Sequence, residues 1–205
     1  MFFTQTPVYL FQRIYPSAMF YLNNKNEIAL TFDDGPIPEV TEFVLEVLEH
    51  YQVKATFFCV GQNIEKHHNI FEKILSSGHI VGNHTYSHLN GWKTNNHQYF
   101  EDIEKFQKIY PSALFRPPYG KIRKSQYDYL VKKYQMVFWS IITYDYHPKM
   151  TIEKCHQILK KNIGGQIVLF HDSLKSFRLI SKILPEYIEY CQKLKLTFVP
   201  LKNKL

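Results

Sequence analysis

About seven times along this chain, a short apolar run gives way to a stretch with helical spacing. The runs are "EIALTF" at residues 27–32, "VKATFFCV" at 53–60, "HIVGNH" at 79–84, "ALFRPP" at 113–118, "MVFWSII" at 136–142, "QIVLFHD" at 166–172 and "LTFVP" at 196–200. Several are almost continuously apolar, which fits strands covered on both faces. Between them, "VTEFVLEVLEHY" puts Val40, Phe43, Val44, Val47, Leu48 and Tyr51 on one helical face. "HQYFEDIEKFQKIY" does the same with Tyr99, Ile103, Phe106 and Tyr110. Further helices read at 125–134, 151–162 and 177–195, and "IFEKILSSG" ends one with Gly78 as its stop. This alternation predicts an α/β fold: a mostly parallel sheet of about seven strands, closed or nearly closed into a barrel. An open doubly wound sheet is the rival, but no glycine-rich dinucleotide loop follows the first strand.

No linker or low-complexity tract interrupts the pattern, so residues 1–205 read as one domain. Residues 1–24 are aromatic and apolar but broken by Gln5, Pro7, Gln12, Arg13 and Pro16, and read as a segment packed on the barrel. The segment has no basic leader and no clear cleavage site, which sets the expectation of a cytoplasmic protein. Peripheral contact with a membrane surface is its weaker reading. No apolar run reaches the roughly 20 residues of a membrane span. Cys59, Cys155 and Cys191 lie in apolar contexts at irregular spacing and read as core thiols. A net charge of +7 raises nucleic acid as a partner. The lysines are scattered, however, in "KKYQ", "LKKN" and "KLKL", so solvated helix faces explain them and nucleic acid is set aside. Attraction to an anionic surface stays open, and oligomeric state leaves no mark.

In a parallel barrel, functional groups gather at the C-terminal ends of the strands. Asp33 and Asp34 follow the first run, His84 and His88 the third, Arg116 the fourth, Asp145 the fifth, and His171 ends the sixth. Alone, "DDG" reads as a capping turn, and a histidine pair at i and i+4 as surface residues. Together, two imidazoles and one carboxylate make a three-donor set that leaves positions for water and substrate. One aspartate then binds a metal and the other takes a proton from water, the metal charge offsetting their repulsion. Arg116, in the apolar and proline-rich "LFRPPYG", is placed to hold a carboxylate. His171 reads either as a satisfied core histidine or as a general acid oriented by Asp145. His147 sits near enough to Asp145 to line the mouth.

"TFDDGP", "HTYSH", "RPPYG", the "WSIITYDY" region and "IVLFHD" resemble, in order, the five motifs of the polysaccharide deacetylases, the NodB-homology enzymes of carbohydrate esterase family 4. They run from residue 31 to 172. The resemblance implies a distorted (β/α) barrel of the NodB type and metal-dependent removal of acetyl groups from a carbohydrate. It implies Asp33 as general base and Asp34, His84 and His88 as metal ligands. The metal is usually Zn2+, with Co2+, Mn2+ or Ni2+ able to use the same donors. It implies Arg116 holding Asp33, a Tyr119 backbone N–H for the oxyanion, and His171 as general acid oriented by Asp145. Leu169 would help form the acetyl-methyl pocket, and Tyr146 would line the substrate. The fourth motif departs from the family pattern, with Ile142 where an Asp is common and Tyr146 where a Trp is common. These changes bear on substrate shape more than on the reaction. The expected activity is N-deacetylation of N-acetylated amino sugars in a glycan, releasing acetate. The alternatives are O-deacetylation of a polysaccharide such as acetyl-xylan, and a catalytically silent carbohydrate-binding barrel.

Overall fold

The structure, a computed structural model, describes residues 8–161 and 164–202. Residues 1–7, the start of the segment expected to pack on the barrel, lie outside the described residues. The strands are β1 (Glu27–Asp33), β2 (Thr56–Cys59), β3 (Ile80–Asn83), β4 (Leu114–Phe115), β5 (Gln135–Met136), β6 (Ile141–Ile142), β7 (Gln166–His171) and β8 (Thr197–Phe198). They form one sheet in the order β5-β4-β3-β2-β1-β7-β6, with β8 also on β1. All these pairings are parallel. The helices are α1 (Val8–Ile14), α2 (Val40–His50), α3 (Gly61–Lys66), α4 (His68–Ser76), α5 (Asn96–Ile109), α6 (Lys124–Leu130), α7 (Ile152–Leu159) and α8 (Phe177–Lys193). The sheet curls into the nearly closed barrel that the alternation predicts. Helices α1 and α3 were not foreseen, whereas Gly78 ends α4's turn in the left-handed region at φ +75°.

Side-chain alternation explains why the strands read as continuous apolar runs. Ile28, Leu30 and Phe32 of β1 join Phe57, Cys59, Val168 and Phe170 in the cluster under the helices. Each of those β1 side chains is 0% exposed, and burying one is worth about 1.5–3 kcal/mol. The intervening residues Ala29, Phe58, Leu114, Val137 and Ile167 form a second cluster inside the curl. Continuing those inner rows by steps of two reaches Thr31 and Asp33 on β1, Leu169 and His171 on β7, and Arg116 just after β4. The inner face therefore turns from apolar to polar as the strands approach their C-terminal ends. That is the physical origin of the site.

The expected strand at 136–142 divides into β5 and β6, which gives eight strands rather than about seven. Between them the chain serves other partners. The Val137 and Phe138 carbonyls accept from Arg116, and the Phe138 N–H donates to the Met19 carbonyl at 2.8 Å. Met19 bridges Val137 in parallel and Tyr21 bridges Gln166 antiparallel, so residues 19–22 fill the seam between β5 and β7. Val8, Tyr15 and Phe20 are buried with Tyr127, Leu130 and Phe138 beside that seam.

Candidate active site

Arg116 is fully buried and packs its guanidinium 4.1 Å from the centre of the Phe58 ring. Its Nη1 donates to Asp33 Oδ1 at 2.7 Å and to Thr31 Oγ1 at 2.8 Å, while Nη2 donates to the Phe138 carbonyl at 2.9 Å. One Asp33 oxygen is thus clamped. The other, Oδ2, lies 3.7 Å from His84 Nε2. His84 Nε2 is 3.9 Å, and His88 Nε2 3.1 Å, from Asp34 Oδ1. Asp34, His84 and His88 form the cluster of donors whose ligand atoms all lie within 4.8 Å of one another.

The "HTYSH" segment is a turn, not a helix, with Thr85 at φ 64° and His88 at φ 57°. Strained backbone needs external support, and it comes from two sides. Asn83 Oδ1 accepts the Thr85 N–H at 2.8 Å. The Asp102 carboxylate of α5 accepts the Tyr86 and Ser87 N–H groups, each at 2.9 Å, and the Ser87 hydroxyl at 2.8 Å. Asp34 itself sits at φ 89°, with its carbonyl held by the Asn63 side chain at 2.7 Å.

His84 Nδ1 is 2.8 Å from the Arg116 carbonyl, which can only accept. The proton therefore sits on Nδ1, and Nε2 keeps its lone pair toward Asp34. Burial lowers the His84 pKa to about 4, so the ring is neutral, as a ligand must be. Burial raises the Asp34 carboxyl, but the hydrogen bond from His88 and the charge of His171 outweigh it and lower its pKa. One carboxylate and two imidazoles whose ligand atoms converge in this way fit a divalent cation.

On the neighbouring strand, His171 is the Cα partner of Asp33. Its Nδ1 is 2.8 Å from Asp145 Oδ1, and its N–H donates to Asp145 Oδ2 at 2.8 Å. Burial pushes the His171 pKa down, but the Asp145 charge and hydrogen bond, with Asp34 and Asp33 adding, raise it to about 9. The Tyr146 ring meets His171 edge-on at 4.7 Å, and the Tyr119 ring lies 4.6 Å from His88. Two aromatic rings thus flank the mouth. Tyr119 has φ 61°, and its N–H has no acceptor among the described residues. Leu169 is buried on β7, two residues before His171 on the same inner row. Ile142, on β6, is the Cα partner of Leu169.

Every candidate residue thus falls at or beneath one mouth. Three supporting groups went unread in the sequence. Thr31 shares the Arg116 guanidinium, and Asp102 holds the histidine turn. Asp172 accepts from Gly35 N–H at 3.0 Å and from Thr41 Oγ1 at 2.6 Å, tying the Asp33–Asp34 turn to α2. Burial, only partly opposed by the Thr41 hydroxyl, and the nearby Asp34 charge push the Asp172 pKa up to about 8. Asp172 directly follows "IVLFH", and its place at a strand end was the signal available; Asp102 and Thr31 carried none.

A curled parallel barrel with a metal-fitting donor triad beside a clamped carboxylate, all at the strand ends, is the architecture of a metal-assisted hydrolase. The polysaccharide deacetylase family profile matches residues 22–139, and the chain belongs to that family. It is 37% identical over 175 residues to a peptidoglycan-N-acetylglucosamine deacetylase of Bacillus cereus, covering 80% of this chain and 64% of that protein's length. A crystal structure of a peptidoglycan N-acetylglucosamine deacetylase bound to 4-naphthalen-1-yl-N-oxidanyl-benzamide superposes with a TM-score of 0.86 at 34% identity, covering 96% of this chain and 95% of the other. A CE4 family pseudoenzyme from Bacillus anthracis shares the fold, with a TM-score of 0.79 at 21% identity over 91% of this chain and 68% of the other.

Proposed function

We propose that this protein is a zinc-dependent N-deacetylase acting on N-acetylated amino sugars of a glycan. The carrying observation is that Asp33, clamped by Arg116, and His171, bonded to Asp145, are in-register neighbours beside one donor triad. A carboxylate held by a guanidinium beside an imidazole held by a carboxylate is the arrangement of a base and an acid. A pseudoenzyme on the same fold means that fold alone carries no catalysis; the intact set of side chains speaks against a silent barrel here. The named substrate of the relatives is itself an N-acetylated amino-sugar polymer, which supports the substrate class.

Asp34, His84 and His88 would hold the zinc, which when bound supplies Lewis-acid polarisation of the acetamide carbonyl and makes water more acidic. Asp33, aimed by Arg116, takes a proton from the attacking water as its oxygen bonds to the carbonyl carbon. The free Tyr119 N–H donates to the developing oxyanion. His171, protonated on the Nε2 facing the mouth, gives that proton to the amide nitrogen as the C–N bond breaks, leaving acetate and a free amine. Asp145 holds the ring through Nδ1. Leu169 and Ile142 close the space for the acetyl methyl.

Elemental analysis tests the metal: about one zinc per chain is expected, lost in Asp34→Ala and His84→Ala. Acetate release from N-acetylated oligosaccharides tests the reaction. Turnover of acetyl-xylan with none of any N-acetyl substrate would replace this reading by the O-deacetylase one.

A further inference from the structure

Outward from His88, two segments run side by side. Gly91 N–H donates to the Lys121 carbonyl at 3.1 Å, and Trp92 Nε1 donates to the Ile122 carbonyl at 3.0 Å. At the inner end the same two segments meet through the His88–Tyr119 ring contact. Gly91 cannot be larger, because a Cβ there would stand 2.6 Å from the Lys121 carbonyl oxygen. The wall ends in Trp92. Its N–H donates to Asn90 Oδ1 at 3.0 Å, and its carbonyl accepts from Arg123 Nη2 at 2.9 Å. Both backbone groups and the indole N–H are thus satisfied by the protein, yet the residue stays 55% exposed. A rigid, exposed indole four residues from a metal ligand is a stacking platform held ready, at most about 15 Å of chain from His88.

Three cations lie around it. Lys121 Nζ lies 5.4 Å from the indole centre, Lys93 follows Trp92 in the chain, and Arg123 holds its carbonyl. None of the three has a carboxylate within ion-pair distance among the described residues. Nearby acids are committed elsewhere: Glu101 to His97, Asp102 to the Tyr86–Ser87 turn, Asp128 to Lys124.

Resting on the deacetylase reading, we infer that Trp92, Lys93, Lys121 and Arg123 form a distal subsite for a carboxylate-bearing residue of the glycan strand. The indole stacks on the apolar face of a sugar, and the cations take the acid. The preferred substrate is thus an anionic strand spanning several residues, not a neutral one.

The test compares three N-acetylated tetramers by acetate release. In the first, alternate residues carry a free lactyl carboxylate. The second is the same tetramer with its carboxylates converted to methyl amides, and the third is neutral chitotetraose. The wild type is expected to favour the acid over the methyl amide by about fivefold in kcat/KM, a preference that fades with added salt. The K93Q/K121Q double variant is expected to lose that preference and to keep its activity on chitotetraose. W92A is expected to raise KM on all three with kcat little changed. Equal wild-type rates on acid and amide, or a preference that survives K93Q/K121Q, would overturn the subsite while acetate from chitotetraose left the deacetylase reading standing. No acetate from any of the three would overturn both.

Discussion

In the proposed reaction Asp33 and His171 act from neighbouring strands, and each depends on a named partner. In Asp33→Asn the amide oxygen still accepts from Arg116, so fold and donor triad survive. Acetate release is then expected to fall by roughly 10²–10⁴-fold with zinc content unchanged; full activity would remove Asp33 as base. His171 makes the pH prediction. Its folded pKa of about 9 stands above the ordinary 6.5, so the fold favours the protonated ring. The stability this contributes is complete below about 6.5 and is lost as pH rises through about 9. A cation at Asp34 moves that upper limit down through like-charge repulsion. Asp145→Asn removes the charge that holds the proton against burial. The alkaline limb of kcat/KM is therefore expected at lower pH than in the wild type, and a profile with an unmoved limb would end Asp145's orienting role.

Strands and turns convert this chemistry into position, and here sequence and structure part company. The runs at β1, β2 and β7 were legible because burial on both faces leaves an almost unbroken apolar record. The Asp33, Arg116 and His171 positions were legible because each polar residue interrupts such a record at its C-terminal end. The split of 136–142 was not legible, because its cause is remote: the Arg116 guanidinium and residue 19 take the backbone groups that a continuous strand would use. Asp102 was invisible for a similar reason, lying beside the buried stripe of α5 with partners fifteen and sixteen residues away. Its role is testable. Asp102→Ala frees the Tyr86 and Ser87 N–H groups and loosens the turn that aims both histidines. Zinc affinity measured against a competing chelator is expected to drop about tenfold, while Asp33→Asn leaves it unchanged. Unaltered affinity would make Asp102 a helix residue of no consequence to the centre.

The seam of the barrel links the N-terminal segment to the buried Arg116. The Phe20 ring stacks on Phe138 at 5.0 Å and 8°, and Phe138 in turn stacks on Tyr15 at 5.3 Å. The backbone of Phe138 is shared: its N–H donates to Met19, and its carbonyl accepts from Arg116 Nη2. Whatever loosens Met19–Leu22 therefore frees one of the acceptors that hold the guanidinium against Asp33. Phe20 is 3% exposed, so Phe20→Ala leaves a cavity at the seam and is expected to cost about 3–5 kcal/mol in denaturant unfolding. The informative readout is hydrogen exchange at the Phe138 amide. If the segment closes the barrel, that amide exchanges faster in the variant, whereas the Asp172 amide, bonded to the Asp33 carbonyl across the β1–β7 pairing, keeps its protection. Equal acceleration at both would mean that the seam unfolds only with the whole sheet, and that the N-terminal segment adds stability without governing the arginine.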